Sequence, residues 1–274
     1  MITIDLHMHT TFSDGKIPLG KLVDLCGQSG LGAIAVTDHL CTQSHLLGRS
    51  ARFLNITLTE ANWKTYIQEI EKERNRAWRE YKMLVFTGAE YTHNTFNHKR
   101  NAHILAVDLK EFIPPTLVEE EWIRAAKQLG ALTVAAHPLK LRDASSQTYY
   151  LLENADRFSP IIDVWEACNA RTLWRQMLKK PFSLIASSDL HVKSRWPSWR
   201  TQISCEKDPD AIKEFLKIKN NRREFVFMTG TTREIKHRVI LDGVENPRFI
   251  KKGAQNDFNN HYPVDNTGWL PSYA

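Results

Sequence analysis

The chain has 274 residues, of which 42% are hydrophobic and 25% are charged. This size and composition predict one large α/β domain with a sizeable core rather than two small domains. The sequence contains no run of 18 apolar residues and begins with MITIDLH, without the basic and apolar regions of a signal peptide. We therefore expect no membrane span and no membrane association, and the expected location is cytoplasmic.

The net charge and the cysteines indicate the kind of binding partner and the state of the thiols. The formal net charge of +6 agrees with an anionic substrate and leaves nucleic-acid binding open. Four cysteines, Cys26, Cys41, Cys168 and Cys205, are scattered along the chain without CxxC spacing. They predict reduced thiols rather than a disulfide framework or a thiolate zinc site.

The chain opens with an alternation of strand-like and helix-like stretches. Strand-like MITIDLHMH (residues 1–9) precedes a helix predicted over residues 18–29. Pro18 is suited to the first turn of this helix and Gly30 to its end. A second strand is predicted over residues 33–39, where AIAVTDH is apolar for most of its length.

The same alternation continues along the rest of the chain. Near-helical spacing of Trp63, Ile67 and Ile70 predicts a long helix over residues 59–82. Further strands are predicted at residues 84–92, 101–109, 132–138, 161–169 and 182–191. Further helices are predicted at residues 117–129, 172–179 and 211–219, and FVFMTG after the last of these predicts another strand.

Seven mostly apolar strands separated by helices predict a parallel sheet with both faces covered. A closed or nearly closed α/β barrel is the geometry that this pattern favours, with its chemistry at the C-terminal ends of the strands. We predict a single domain over residues 1–274. Its core would occupy about residues 1–205, followed by a C-terminal helix, strand and polar tail at about 206–274.

Ionisable side chains stand at or near the ends of most predicted strands. They are His7, His9, His39, Glu90, His137, Asp189 and His191, with Asp14 in the loop after the first strand and His103 near the start of the fourth. Side chains two residues apart on a strand share a face. If that face lines the barrel, one mouth collects six histidines and three carboxylates.

Imidazole and carboxylate groups together are the ligands of Zn, Mn or Fe rather than of calcium. Their number exceeds the needs of one ion, so two or three divalent ions are implied, and Glu90 could bridge a pair roughly 3.5–4 Å apart. Each residue alone has a structural alternative, as a hydrogen-bonded histidine or, for Asp14, a turn residue. The joint pattern favours a metal site because several unpaired buried polar groups would each be costly.

The motifs also resemble those of a known family. HMHTTFSDG, VTDH, GAE, the histidine of NAHIL, AAHP and SDLH are similar, in this order, to the motifs of the PHP (polymerase and histidinol phosphatase) superfamily. The resemblance extends from about residue 3 to about residue 205. It implies a distorted seven-stranded (β/α)7 barrel with a trinuclear metal centre at the C-terminal mouth of the strands.

The resemblance further implies how the ligands divide among three ions. One ion would be held by His7, His9, Glu90 and Asp189. The second ion would share Glu90 and add His103 and His137. The third ion would be held by Asp14, His39 and His191. Several relatives carry histidine where this chain has Asp14, and aspartate is typical of a branch of stand-alone phosphoesterases that includes nucleotide phosphatases.

These expectations together predict a metal-dependent hydrolase acting on phosphoric ester bonds. A metal-bound hydroxide bridging ions at Glu90 would attack a small phosphorylated substrate, a nucleotide, a nucleoside bisphosphate or a histidinol-phosphate-like phosphomonoester. One alternative is a metal-dependent exonuclease on oligonucleotide ends, which is not favoured because no large inserted domain separates His103 from His137. The other is a non-catalytic metal-binding regulatory domain. The sequence does not indicate whether the protein is a monomer or an oligomer.

Cations close to the ligand motifs are candidates for binding phosphate that is not transferred. They are Arg195 and Arg200 after SDLH, and Lys140 and Arg142 after AAHP. Exposure on a solvated surface is the alternative for each of them. Asp5, two residues before His7, is a candidate acceptor for the second nitrogen of a ligand imidazole, with a buried capping role as the alternative.

Two further features near the predicted mouth have open interpretations. The segment 40–83 is longer than in the simplest relatives, and it is either a lid, with His45, Arg49 and Arg52 as candidate contacts, or a helix with a surface loop. Trp196 and Trp199 could stack on a nucleobase or pack against the barrel rim, which is the favoured alternative.

Overall fold

A computed structural model of the protein describes residues 1–43, 46–139, 148–230, 234–242 and 247–251. The α-helices within these residues are α1 Leu19–Gln28, α2 Leu46–Phe53, α3 Glu60–Tyr81, α4 Glu119–Gln128, α5 Tyr150–Glu153, α6 Ala155–Phe158 and α7 Pro209–Lys217. The strands are β1 Ile2–Asp5, β2 Ala33–Val36, β3 His39–Cys41, β4 Leu84–His93, β5 Ala102–Val107, β6 Leu132–Ala135, β7 Val164–Asn169, β8 Thr172–Leu173, β9 Leu184–Ser187, β10 Ser198–Ile203, β11 Arg223–Met228, β12 Ile235–Leu241 and β13 Arg248–Lys251.

All thirteen of these strands belong to one mixed sheet. Its main path runs β13-β12-β11-β10-β1-β2-β4-β5-β6-β7-β8, while β3 pairs with β4 and β9 pairs with β7. The pairs β1–β2, β2–β4, β3–β4, β6–β7 and β7–β9 are parallel. Strand β5 is antiparallel to both of its neighbours, and β10 to β13 extend the sheet from β1 by antiparallel pairing. The fold is therefore mixed α/β. The sequence predicted a parallel sheet, and this prediction is wrong because several pairs are antiparallel.

The sheet curls so that side chains from distant strands meet on one face. A buried apolar cluster, here called the interior cluster, draws on β1, β2, β4, β5, β6, β7, β9, β10 and α7. It consists of Ile4, Leu6, Ala33, Ala35, Phe86, Leu105, Val107, Leu132, Val134, Ala136, Val164, Ile185, Ile203, Ile212 and Leu216. Because β1 and β9 are far apart along the sheet path, their meeting in one cluster requires a strongly curved sheet.

The curled sheet does not close into a barrel in the described part of the chain. Beyond the ends of β1 and β9, the two segments touch through an isolated bridge in which the His9 N–H donates to the Leu190 carbonyl at 3.0 Å. Between β9 and β10, the Thr201 hydroxyl accepts from the Ala186 N–H at 2.8 Å and donates to the Ala186 carbonyl at 2.9 Å. The predicted (β/α)7 barrel is therefore not confirmed, although all seven predicted strand regions contain strands.

Helices cover the outer face of the curled sheet. Helix α3 begins with a capping box in which Thr59 and Asn62 satisfy each other's backbone N–H groups. It ends at Lys82, whose φ of 51° is left-handed. The buried Tyr66 hydroxyl donates to strand carbonyls, with Val36 at 3.0 Å and Gly88 at 2.9 Å. Helix α3 is thereby fixed against β2 and β4, and the predicted helix over residues 59–82 is present.

One predicted helix is wrong. Residues 172–179 contain β8 and a short 3-10 helix, Met177–Lys179, in place of a continuous α-helix. Ala170 has a φ of 50°, and the following residues fold back so that Thr172 pairs with Asn169 of β7. This hairpin overrides the local helical pattern. None of the helices in the described ranges is long and apolar enough to cross a membrane.

The Thr201 hydroxyl bonds to Ala186 predict a measurable contribution to stability. Thr201 is fully buried, so Thr201→Val leaves the N–H and carbonyl of Ala186 without that partner. We expect unfolding free energy to fall by about 1–3 kcal/mol in urea denaturation. Thr201→Ser keeps the hydroxyl and is the matched control. A valine variant as stable as the serine variant would contradict this role.

Candidate metal centre

The structure brings all nine predicted donor side chains to one end of the curled sheet. We call this group the donor cup. Its members are His7 and His9 after β1, Asp14 in the following loop, His39 at the start of β3, Glu90 in β4, His103 in β5, His137 after β6, and Asp189 and His191 after β9. Within it, four overlapping groups of three or four residues each offer ligand atoms within 4.8 Å of one another.

The carboxylate of Glu90 lies at the centre of the donor cup. Its Oε1 is 2.9 Å from His103 Nδ1 and 3.4 Å from His137 Nε2. Its Oε2 is 2.8 Å from His39 Nδ1 and 3.4 Å from His9 Nε2. Since the two oxygens face different histidines, one carboxylate can serve two neighbouring cations.

The two aspartates of the donor cup contact different sets of histidines, with His191 common to both. Asp189 Oδ1 lies 3.3 Å from the Nε2 atoms of both His7 and His9. Asp14 Oδ1 lies 3.2 Å from His191 Nε2 and 3.5 Å from His39 Nε2. The Asp14 side chain is 40% exposed, whereas Glu90 is fully buried. The Asp14 group is therefore the part of the donor cup most open to solvent.

The reversed direction of β5 explains the position of His103. A parallel strand would carry a residue near its start to the opposite end of the sheet from Glu90. Because β5 is antiparallel to β4, His103 pairs with Thr92 and its ring reaches Glu90. In the sequence, His103 stands near the start of its strand, whereas the other donors stand at or near strand ends. The antiparallel pairing of β5 is the physical reason for this difference.

Several polar atoms of the donor cup are buried without a hydrogen-bond partner in the described part of the chain. They are His7 Nε2, both ring nitrogens of His9 and Asp14 Oδ1. Buried polar atoms are ordinarily paired because leaving them unpaired costs free energy. Coordination of divalent cations would satisfy the free lone pairs among these atoms. The residues present therefore fit a metal centre.

Hydrogen bonds orient several imidazoles with Nε2 towards the cup. His7 donates through Nδ1 to Glu166 at 3.0 Å, and His137 donates through Nδ1 to the Thr148 hydroxyl at 2.9 Å. His191 donates through Nδ1 to the backbone carbonyl of Asp189 at 3.0 Å. These partners place the ring proton on Nδ1, which leaves the Nε2 lone pair available for a cation.

Glu166 is a functional candidate that sequence analysis missed. While Oε1 accepts from His7, Oε2 accepts from the backbone N–H of His137 at 2.7 Å and from Asn169 Nδ2 at 2.9 Å. Glu166 is fully buried in the middle of β7. The signal in the sequence was an acidic residue inside the apolar run VWEACN, where burial of a carboxylate needs several donors.

A second buried acid, Asp38, fixes the loop that carries Asp14. Its Oδ1 accepts from the Thr10 N–H at 2.7 Å and from the Ser13 hydroxyl at 2.6 Å, and its Oδ2 accepts from the Thr10 hydroxyl at 2.7 Å. Asp38 is fully buried. The VTDH motif thus contributes a loop-positioning aspartate beside the donor His39.

Asp5 has the buried capping role that was the alternative for it, and it does not contact a ligand imidazole. It accepts from the Ser188 N–H at 3.0 Å and pairs with Arg200, not with a ligand imidazole. The period-two alternation assumed for residues 5, 7 and 9 breaks after Leu6, because β1 ends at Asp5 and Leu6 lies in the interior cluster. His7 then turns towards Glu90 while Asp5 remains on the other side.

Two donors have backbone conformations that non-glycine residues rarely adopt. The φ angle is 29° at His137 and 50° at Asp189. Such conformations cost free energy and persist where the surrounding structure enforces them, often at functional sites. Both residues lie two positions beyond the end of a strand, where a turn of the chain aims the side chain into the donor cup.

The ionisable groups of the donor cup shift one another's pKa values. Burial alone would raise the pKa of Glu90, but the imidazoles of His39, His103 and His7 hold that pKa well below its ordinary value. Burial, together with His39 and His191, lowers the pKa of His9 to about 3. The cup therefore contains an ionised central carboxylate and a neutral imidazole beside it.

The predicted substrate contacts lie in different surroundings. Arg195 is exposed in the short 3-10 helix Lys193–Arg195 that follows His191. Arg200 is fully buried against Asp5 and the Trp196 ring, so it cannot reach a substrate in the donor cup. Lys140 and Arg142 lie outside the described residues.

The two remaining open interpretations are partly resolved. Trp196 and Trp199 are each 3% exposed and pack within the protein, as the favoured alternative stated. The segment 40–83 forms β3, α2 and α3, of which α2 carries the exposed Arg49 and Arg52, while His45 lies outside the described residues. Movement of this segment as a lid stays a prediction.

Comparison with known proteins agrees with the site. The family model of the PHP domain matches residues 5–121, which include His7, His9, Asp14, His39, Glu90 and His103. These residues match the PHP domain family, and the resemblance drawn from the motifs is confirmed. No curated protein matches the chain by sequence.

One solved structure is similar in fold. A two-domain protein from Bacteroides vulgatus ATCC 8482, described as containing a predicted PHP-like metal-dependent phosphoesterase, matches with a TM-score of 0.61 and 20% identity. The match covers 82% of this chain and 64% of that protein, so this chain spans less than two thirds of its length.

Two other structures are more distant. A candidate metal-dependent phosphoesterase from Bifidobacterium adolescentis ATCC 15703 has 16% identity and a TM-score of 0.43, over 77% of this chain and 94% of that one. An amidohydrolase from Chromobacterium violaceum, solved with sulfate and no metal, has 12% identity and a TM-score of 0.43, over 69% of this chain and 88% of that one.

The contacts of Glu166 predict an effect on metal binding without loss of a donor from the cup. Glu166→Gln turns one of its two accepting oxygens into an amide that faces N–H donors. We expect the affinity for Mn²⁺ to fall by about 10–100-fold, because His7 and His137 lose their fixed orientation. Isothermal titration calorimetry measures this. The exposed Glu69→Gln on α3 is the control, and unchanged affinity in folded Glu166→Gln would refute the assignment.

Proposed function

We propose that the protein is a metal-dependent phosphoesterase that hydrolyses a phosphomonoester of a small metabolite. The observation that carries this proposal is the convergence of nine donors, Glu90 among them, in one cup where several of their polar atoms are unpaired. The PHP family match over residues 5–121 supports the same chemistry. A nucleotide or nucleoside bisphosphate is the preferred substrate, followed by a histidinol-phosphate-like ester.

The donor cup would hold two or three divalent ions, with Zn, Mn or Fe suited to its mixture of nitrogen and oxygen ligands. The first set of ligands would be His7, His9, Glu90 and Asp189, the second Glu90, His103 and His137, and the third Asp14, His39 and His191. His9 also lies within reach of the third set. When bound, such ions activate water and neutralise phosphoryl oxygens.

The protein's own residues would prepare the site for this chemistry. Glu90, fully buried and ionised, places negative charge between two sets of ligands. Glu166 and Thr148 hold the imidazoles of His7 and His137 in fixed orientations before substrate arrives. The more exposed Asp14 group provides the open side from which a phosphate would enter. The sequence has no GxSxG or P-loop motif, so no protein nucleophile is proposed.

Loss of a central donor is expected to abolish most of the turnover. His9→Ala and Asp189→Ala should each lower inorganic phosphate release by about 100-fold or more, since even outer partners of metal ligands cause 10–100-fold losses. The assay uses metal-replete protein and a set of phosphorylated metabolites that includes nucleoside bisphosphates. Lys72→Ala, 73% exposed on α3, is the control.

The same assay separates the proposal from its alternatives. Release of mononucleotides from an oligonucleotide, without phosphate release from small esters, would favour the exonuclease. Wild-type turnover in the His9→Ala or Asp189→Ala variant would contradict catalysis at the donor cup. Metal binding with no hydrolysis of either class of substrate would favour a regulatory domain.

Arg195 is the exposed cation proposed to bind a remote anionic group of the substrate. It lies four residues beyond His191, outside the donor cup. Arg195→Ala should raise KM by about 10-fold and leave kcat nearly unchanged, because the contact would act on ground state and transition state alike. Steady-state kinetics measures the split, and a fall in kcat at constant KM would rule out this role.

A further inference from the structure

A buried ion pair lies directly behind the donor cup. Asp5 and Arg200 are both fully buried, and Arg200 Nε is 3.1 Å from Asp5 Oδ2. Burying two charges is costly, and an apolar pair of similar volume is often as stabilising. The pair therefore calls for an explanation beyond stability, and its remaining contacts supply one.

The Asp5 carboxylate connects two segments that carry donors. Through Oδ1 it accepts from the Ser188 N–H at 3.0 Å. Ser188 immediately precedes Asp189, whose φ of 50° turns its side chain into the donor cup. Asp5 itself is the last residue of β1, two positions before His7. The Asp5 carboxylate thus links the segment that carries His7 to the segment that carries Asp189.

The Arg200 guanidinium connects the Asp5 carboxylate to the turn after His191. Its Nη1 donates to the carbonyls of Ser198 at 3.2 Å and Trp196 at 3.3 Å. Nη2 donates to the Trp196 carbonyl at 3.3 Å, and the group lies 4.1 Å from the centre of the Trp196 ring. Arg200 therefore holds a turn that begins only a few residues beyond His191.

We propose that Asp5 and Arg200 form a positioning pair that holds Asp189 and His191 in register with His7 and His9, and so sets the affinity of the donor cup for cations. The inference rests on the proposed metal-binding role of the cup. Neither residue contacts the substrate. The planar guanidinium is essential to it, because a lysine ammonium can neutralise Asp5 but cannot bond both carbonyls of the turn in the same plane.

Three variants test the pair. Arg200→Lys keeps the charge and removes the planar contacts to Trp196 and Ser198. The double variant Asp5→Asn with Arg200→Met removes both charges and keeps an oxygen that can accept from Ser188, so no unpaired charge is buried. We expect both to bind Mn²⁺ about 10–100-fold more weakly than wild type, with the metal-free double variant still folded. Arg200→Met alone should be less stable than the double variant.

A second buried pair provides the matched control. Lys213 Nζ lies 2.7 Å from Asp108 Oδ2, next to the interior-cluster residue Ile212 of α7 and away from the donor cup. Lys213→Met should lower thermal stability and leave the Mn²⁺ affinity of the folded protein unchanged. A loss of stability is therefore not in itself a loss of metal binding.

The readouts are the Mn²⁺ dissociation constant from calorimetry and the visible absorption of the Co²⁺-loaded protein, which reports ligand geometry. A changed Co²⁺ spectrum together with weaker Mn²⁺ binding in Arg200→Lys supports positioning. Wild-type affinity and spectrum in both Arg200→Lys and the folded double variant overturn it. If the double variant does not fold, Arg200→Lys decides alone. Wild-type protein that binds no cation overturns the proposed function as well, whereas unchanged variants overturn only the positioning pair.

Discussion

The architecture depends on the burial of one carboxylate, that of Glu90. Glu90 is fully buried, and the side chains of His7, His9, His39, His103 and His137 all approach it within 4 Å. An isolated buried carboxylate is too costly to persist ionised, so partners must surround it. These partners come from distant parts of the sequence, and only a strongly curled sheet can bring them together. The curl and the donor cup therefore satisfy the same constraint.

On the concave face of the sheet, the apolar side chains and the metal-donor side chains of a strand occupy different levels. On β4, Phe86 packs in the interior cluster, and Glu90, two turns of the pleat further on, lies in the donor cup. On β5 the order is reversed, with His103 in the cup and Leu105 in the cluster. Because the apolar layer is complete below the donors, a donor can be replaced without emptying the core.

The sequence was informative where local pattern decides structure, and less so where distant segments decide it. Apolar runs located the seven strand regions, and the donors near their ends could be listed without coordinates. The reversal of β5 and the change of face after Leu6 depend on pairing and could not be read from alternation. Arg200 was predicted as a phosphate contact, with a solvated surface position as the alternative. Nothing local in the sequence shows that it pairs with the distant Asp5. Glu166 did leave a local signal, a carboxylate inside an apolar strand.

The family match covers only part of the donor cup, and the C-terminal half of the chain supplies the other donors. The PHP domain model ends at residue 121, whereas His137, Asp189 and His191 lie beyond it. Strand β10 then pairs with β1 and carries Arg200 and Thr201, both turned towards the segments that bear donors. Strand β11 pairs with β10 in turn. The antiparallel extension therefore acts as a brace for the donor cup, because it fastens the first and last donor-bearing segments where the sheet itself does not close.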